Sequence, residues 1–193
     1  MRLFVALDPP PDAVAELRRA VDPVRARHPE LRWTATDGWH ITLAFLGDVD
    51  TDRLPVLQER LARVAARHAA LELSLTGCGR FGDRVLWTGV HGPGTALKAL
   101  VAGVRRAAVK CGIDTDTRPW HGHVTLARAS GRSGRAHRRS APDLAALAAD
   151  LADFAGTAWT ADTLHLVQSV PGPGPAHYRD VGAWPMRGKP GFR

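Results

Sequence analysis

The sequence predicts an α+β protein in which strands and amphipathic helices alternate along one undivided chain. Three observations lead there. Apolar residues recur at two periods: every second position at Leu71, Leu73 and Leu75, and every third or fourth at Leu54, Leu57, Leu61 and Val64. No Pro/Gly/Ser-rich linker interrupts the 193 residues, so positions 1–193 are expected to form a single domain. The pattern His-x-Thr-Leu also occurs once in each half, at His40-Ile41-Thr42-Leu43 and 83 residues later at His123-Val124-Thr125-Leu126.

Arg2 to Leu7 (RLFVAL) is a short β-favouring run and the first strand. After Pro9, Pro10 and Pro11, Asp12 can cap a helix that places Val14, Leu17, Val21 and Val24 on one face, with Pro23 expected to kink or shorten it. Leu31 to Gly47 reads as extended and ends at a Gly-Asp turn, after which Thr51 opens a second amphipathic helix. The strand through Leu71–Leu75 leads by a Gly-rich turn into a hairpin partner at Arg84 to Val90. A third helix runs from about Thr95 to Lys110, with Gly112 at its C-terminal end. Trp120 to Arg128 is extended again, and a basic loop (SGRSGRAHRRS) follows. A fourth helix carries Leu144, Leu147, Leu151 and Phe154, and strands at about Ala158–Ser169 and His177–Trp184 close the chain.

Composition excludes several classes. At 45% hydrophobic and 23% charged residues the chain is too apolar for a disordered protein, yet it has no apolar run of the roughly 18–20 residues that a membrane-spanning helix needs. The short apolar stretch before Asp8 does not make a signal peptide, so a cytoplasmic protein is expected. Two cysteines, Cys78 and Cys111, cannot build a disulfide framework or a four-thiolate metal site. The net charge of +7 favours anionic partners, nucleic acid above all, although an Arg- and Ala-rich composition gives the same charge without any partner.

The repeated motif carries the chemistry. On a strand, His40 and Thr42 point one way and Ile41, Leu43 and Phe45 the other, while His123 and Thr125 stand opposite Val124 and Leu126. With the apolar set buried, the His/Thr sets line a cleft. Imidazoles titrate near pH 6.5, so one can accept a proton while the other donates one, and the Thr hydroxyls can donate to non-bridging phosphate oxygens. Such a cleft suits a phosphodiester and needs no metal. The pattern itself leaves open which histidine is acid and which is base.

With these motifs the sequence resembles the 2H phosphoesterase superfamily, and within it the RNA 2',3'-cyclic phosphodiesterases, also called 2'-5' RNA ligases. The likeness extends from RLFVAL through Trp39–Gly47, Gly79–Phe81, Val85–Trp87 and His123–Arg128 to Leu164–Ser169 and Tyr178. It implies a two-lobed, pseudo-symmetric fold whose antiparallel sheets form a central cleft, with helices packed outside. It implies hydrolysis of a terminal 2',3'-cyclic phosphate to a 2'-phosphomonoester, accompanied by weak reverse 2'-5' ligation. In those terms His40 is the general acid, His123 the general base, Thr42 and Thr125 hold the phosphate, and Arg128 helps to bind it. Strict alternation puts Arg128 on the face opposite Thr125, so it reaches the cleft only where a bulge or the strand end re-aims it. Gly122 stands where many relatives have Pro. The expectation is a monomer without cofactor, metal or membrane, acting on RNA or an oligonucleotide with a 2',3'-cyclic phosphate end. The alternatives are a 2H enzyme for a small cyclic or 2'-5'-linked nucleotide, or a non-catalytic module that binds such RNA ends.

Other motifs are set aside. Gly77-Cys78-Gly79-Arg80-Phe81-Gly82 matches G-x-G-x-x-G but leads into a strand, where a dinucleotide site needs a helix. His121 and His123 share a face, yet no further ligand follows at metal spacing, so His121 is assigned to the cleft edge or surface. His28, His68, His91, His137, His165 and His177 have no partner pattern and are read as surface or structural groups. Arg132, Arg135, His137, Arg138 and Arg139 could steer RNA towards the cleft or form a solvated loop. No G-x-S-x-G or P-loop is present.

Overall fold

The structure is a computed structural model, and it describes residues 1–129, 142–172 and 176–189. Among these residues, nine strands and four helices follow the predicted α+β order: β1 (Arg2–Leu7), α1 (Pro11–Arg27), β2 (Arg32–Trp33), β3 (Ile41–Asp48), α2 (Leu54–Arg67), β4 (Leu71–Phe81), β5 (Val85–His91), α3 (Gly94–Val109), β6 (His123–Arg128), α4 (Leu144–Asp150), β7 (Trp159–Ala161), β8 (Thr163–Val170) and β9 (His177–Pro185). They form two antiparallel sheets, one ordered β3-β1-β8-β9 and the other β2-β6-β5-β4-β7. Helices α2 and α3 back the four-stranded sheet, while α1 and α4 back the five-stranded one. A continuous core runs through both, including Val5, Leu43, Leu57 and Leu100 as well as Leu75, Leu86 and Leu126.

The chain passes between the sheets more often than its hydrophobic pattern suggests. The extended stretch expected over Leu31–Gly47 is two strands belonging to different sheets, separated by a 3₁₀ turn at Thr36–Gly38. The closing stretch from Ala158 is likewise split, β7 joining one sheet and β8 the other. Alternation within a strand reads the same whichever sheet receives it, so periodicity does not mark such crossings.

Local departures have local causes. Pro11 occupies the first turn of α1, where its missing N–H costs nothing, and Pro10 takes the N-cap position. Asp12 therefore lies in the first turn, complementing the helix dipole, and makes no cap. Pro23 does not shorten the helix, which continues to Arg27. Thr51 opens a short 3₁₀ turn before α2. The Gly-rich segment after Leu75 is the second half of β4, so the hairpin turn falls after Phe81. The fourth helix ends at Asp150; Leu151 is its C-cap, and the Phe154 carbonyl accepts from the Gly77 amide.

Candidate active site

Each His-x-Thr motif begins a strand, His40 just ahead of β3 and His123 opening β6. Ile41, Leu43, Val124 and Leu126 are buried, as alternation requires, and His40, Thr42, His123 and Thr125 are half-buried on the faces turned away from the helices. On that face of the four-stranded sheet Phe4, Ala6 and Val167 form a small apolar cluster apart from the main core.

Beyond the motifs, bulges overturn alternation in both strands. The β1–β3 pairing sets Ala6 opposite Thr42 and Phe4 opposite Phe45, passing over Leu43. Directly opposed residues share a face, so Phe45 joins Thr42 and is 59% exposed, against the expectation that it is buried with Leu43. The β5–β6 pairing sets Trp87 opposite Thr125 and Val85 opposite Arg128, passing over Leu126. Arg128 thereby returns to the face of His123 and Thr125, where uninterrupted alternation would have turned it away. The register Arg32↔Arg128 places Arg32 on the same face. Neither arginine has an ion-pair partner among the described residues.

Each imidazole is held by aromatic rings of its own lobe. His40 stacks on Phe4, with centroids 4.4 Å apart, and meets Tyr178 edge-on at 5.2 Å. His123 meets Phe81 edge-on at 4.9 Å and lies 6.2 Å from Trp87. Glycines make room for this packing: a Cβ at Gly79 would fall 2.3 Å from the Trp87 ring, and one at Gly38 3.0 Å from Tyr178. Gly122 similarly lets Trp120 lie against the backbone, and the Trp120 indole donates to the Thr42 carbonyl at 2.9 Å, tying the approach of β6 to β3.

The electrostatics distinguish the two histidines. Burial, reinforced by the charge of His123, pushes His40 down to about 4. Burial also lowers His123, assisted by the charges of His121 and Arg128 and opposed by a hydrogen bond to the His121 carbonyl. That bond, 2.8 Å from Nδ1, fixes the tautomer: a carbonyl only accepts, so Nδ1 carries the proton and Nε2 keeps its lone pair. In the free protein near neutrality both rings are therefore uncharged, and His123 presents a base.

The residues of the first motif line two cavities, His40 one and Thr42 the other. One of about 350 Å³ is lined by Thr42, Phe45, Phe81, Arg105, Trp120 and His123; the other, about 540 Å³, by His40, Tyr178, Asp8 and Asp180 among others. Asp8, His165 and Asp180 bring ligand-type atoms within 4.8 Å of one another. His165 is hydrogen-bonded to Asp180 at 2.9 Å, in line with its structural reading. The carboxyl of Asp8 is raised mainly by burial. His121 sits at the cleft edge against Trp87 and Phe81. The basic residues Arg132, Arg135, His137, Arg138 and Arg139 lie outside the described residues.

Chemical reasoning from the motif missed Phe4, Phe45, Trp120 and Arg32. Phe4 alone left a trace, because RLFVAL is apolar on both faces and a strand with one solvated face would not be. The positions of Phe45 and Arg32 depend on bulges and cross-strand register, which leave none.

Comparison with known proteins follows the same line. The family model of the 2'-5' RNA ligase superfamily matches residues 6–172. An RNA 2',3'-cyclic phosphodiesterase of Escherichia coli is 37% identical over 131 residues, covering 66% of this chain and 71% of that protein. One from Geobacillus stearothermophilus is 36% identical over 129 residues, 65% of this chain but only 41% of that protein's length. Among solved structures, E. coli LigT complexed with 3'-AMP superposes with a TM-score of 0.73 at 29% identity, covering 96% of this chain and 97% of that one. Thermus thermophilus TT0787 gives 0.74 at 25% identity, covering 98% and 100%.

Proposed function

The chain belongs to the 2'-5' RNA ligase superfamily, and on that premise we propose that it hydrolyses terminal 2',3'-cyclic phosphates of RNA to 2'-phosphomonoesters, with the two lobes acting as one unit. The observation that carries this reading is a pair of half-buried imidazoles, each beside a Thr hydroxyl on the helix-free face of its own sheet, with the approach to the second motif tied to the first by the Trp120–Thr42 hydrogen bond.

The chemistry follows from their states. Nε2 of His123 removes a proton from water as the oxygen attacks phosphorus, and His40 protonates O3' as the P–O3' bond breaks. The product carries a 2'-phosphate and a 3'-hydroxyl. Thr42 and Thr125 donate to the non-bridging oxygens, while Arg128 answers the charge that builds up on them. The acid role requires a protonated His40, which its own surroundings disfavour. The substrate supplies the remedy: a phosphodiester anion ~4 Å away is worth about 4 kcal/mol at an effective dielectric of ~20, or about three pKa units. That returns a ring whose pKa lies at about 4 to roughly neutrality. The acid is thus armed by the ligand it serves.

The test is an oligonucleotide ending in a 2',3'-cyclic phosphate, incubated with excess EDTA, with the product identified. Opening to a 2'-phosphate supports the proposal. Turnover confined to mononucleotides points to a small-nucleotide enzyme, and binding without opening to an end-binding module. His40→Ala and His123→Ala should each lower turnover by at least ~10², and full activity in either variant removes that residue's role.

A further inference from the structure

The outer helices carry a second cationic surface, distinct from the cavity that holds His123. Between α2 and α3 lies a groove of about 240 Å³ rimmed by Arg60, Arg63, Arg67, His68, Arg106 and Lys110 and floored by Val64, Gly103 and Ala107. Gly103 keeps it concave, since a Cβ there would lie 3.2 Å from the His68 ring and 3.3 Å from Val64. One carboxylate, Glu59, answers this array by pairing with Arg63, and among the described residues the other cations of the rim form no ion pair. The Nε of Arg60 is buried without a hydrogen-bond partner.

The helix dipole does not account for the array. It favours cations in the last turn, which fits Arg67 and Arg106, but Arg60 and Arg63 lie midway along α2. Arg60 to Arg67 spans about 10 Å of helix at 1.5 Å per residue, a continuous cationic edge. Nor is the groove isolated from the cleft. Arg105, next in sequence to Arg106 and about 100° round α3 from it, lines the cavity shared by Thr42 and His123. Its Nε is also buried without a partner. Two adjacent arginines of α3 thus border the two cavities, Arg105 donating to the Arg118 carbonyl on the cleft side and Arg106 lining the groove.

We propose that this track binds the sugar–phosphate backbone of the RNA upstream of its cyclic end, so that the groove sets a preference for oligonucleotides over mononucleotides. The proposal rests on the RNA-end reading above. A concave channel with small residues on its floor admits a flexible strand, whereas a flat acidic bilayer would touch only its rims.

The triple variant Arg63→Gln, Arg67→Gln, Arg106→Gln alters exposed positions with good helix formers. Binding is read by fluorescence anisotropy against salt, using a 3'-phosphorylated RNA of about twelve nucleotides. Turnover is read on an oligonucleotide of that length with a cyclic end and on a nucleoside 2',3'-cyclic monophosphate. At ~0.7 per phosphate contact, the slope of log K against log salt should fall in magnitude by about 2. KM should rise for the oligonucleotide and stay unchanged for the mononucleotide. Unchanged oligonucleotide affinity and slope would overturn the groove assignment while leaving the catalytic reading intact. Loss of turnover on both substrates with RNA binding unaltered would also overturn it. If wild type opens neither substrate, the catalytic reading fails and the anisotropy arm still judges the groove. Vesicles of phosphatidylserine and phosphatidylcholine serve as the rival ligand; a variant that loses only vesicle binding assigns the surface to lipid and refutes the RNA track.

Discussion

The low pKa of His40 makes folding stability a readout of the cleft before any substrate is supplied. In the unfolded chain a histidine titrates near 6.5; in the folded protein burial pushes this one to about 4. Between those values the unfolded state binds the proton more readily. The resulting penalty is absent above about pH 6.5, grows as pH falls, and is complete below about 4. Two and a half units correspond to roughly 3 kcal/mol at full development, and from about pH 7 to about pH 5 the loss should be about 2 kcal/mol. For a chain of this length that is a fall in Tm of roughly 4–8 °C. The assay compares urea unfolding of wild type and His40→Gln across that range. Gln does not titrate, so groups common to both proteins cancel and the difference isolates His40. Parallel stability curves would refute the buried, neutral imidazole and with it the argument that the substrate's anion arms the acid. Saturating non-hydrolysable 3'-nucleotide should shrink the wild-type penalty, because a bound phosphate favours the charged ring.

Three further outcomes are expected. Arg128→Ala should lower kcat/KM by roughly 10² through loss of positive charge at the phosphate. Because Arg128 also holds the His123 pKa down, the acidic limb of the kcat profile should move to higher pH, a shift that mere loosening of the strand would not give. Gly79→Ala introduces a methyl group 2.3 Å from the Trp87 ring, so unfolding free energy should drop by about 1–3 kcal/mol and turnover should fall as Trp87 is displaced from His123. Trp120→Phe removes the indole donor to the Thr42 carbonyl; denaturation should report about 1 kcal/mol lost, and product assays should show a lower kcat as the two motifs loosen.

Much of the fold and the core of the candidate site is legible along the chain. Helical periodicity at Leu97, Leu100, Val101 and Val104 located α3 to within a residue at each end, and all four side chains are buried. The duplicated His-x-Thr placed four polar side chains opposite four buried apolar ones, because alternation is a property of the strand itself. Tertiary structure decided what alternation cannot express. Which sheet a short strand joins depends on partners far along the chain, so β2 and β3 separate although they read as one segment. The side on which Phe45 and Arg128 emerge depends on one extra residue in a ladder, a feature of two strands together. The charge state of His40 depends on Phe4 and Tyr178 closing over it from β1 and β9, since desolvation is set by neighbours in space rather than in sequence.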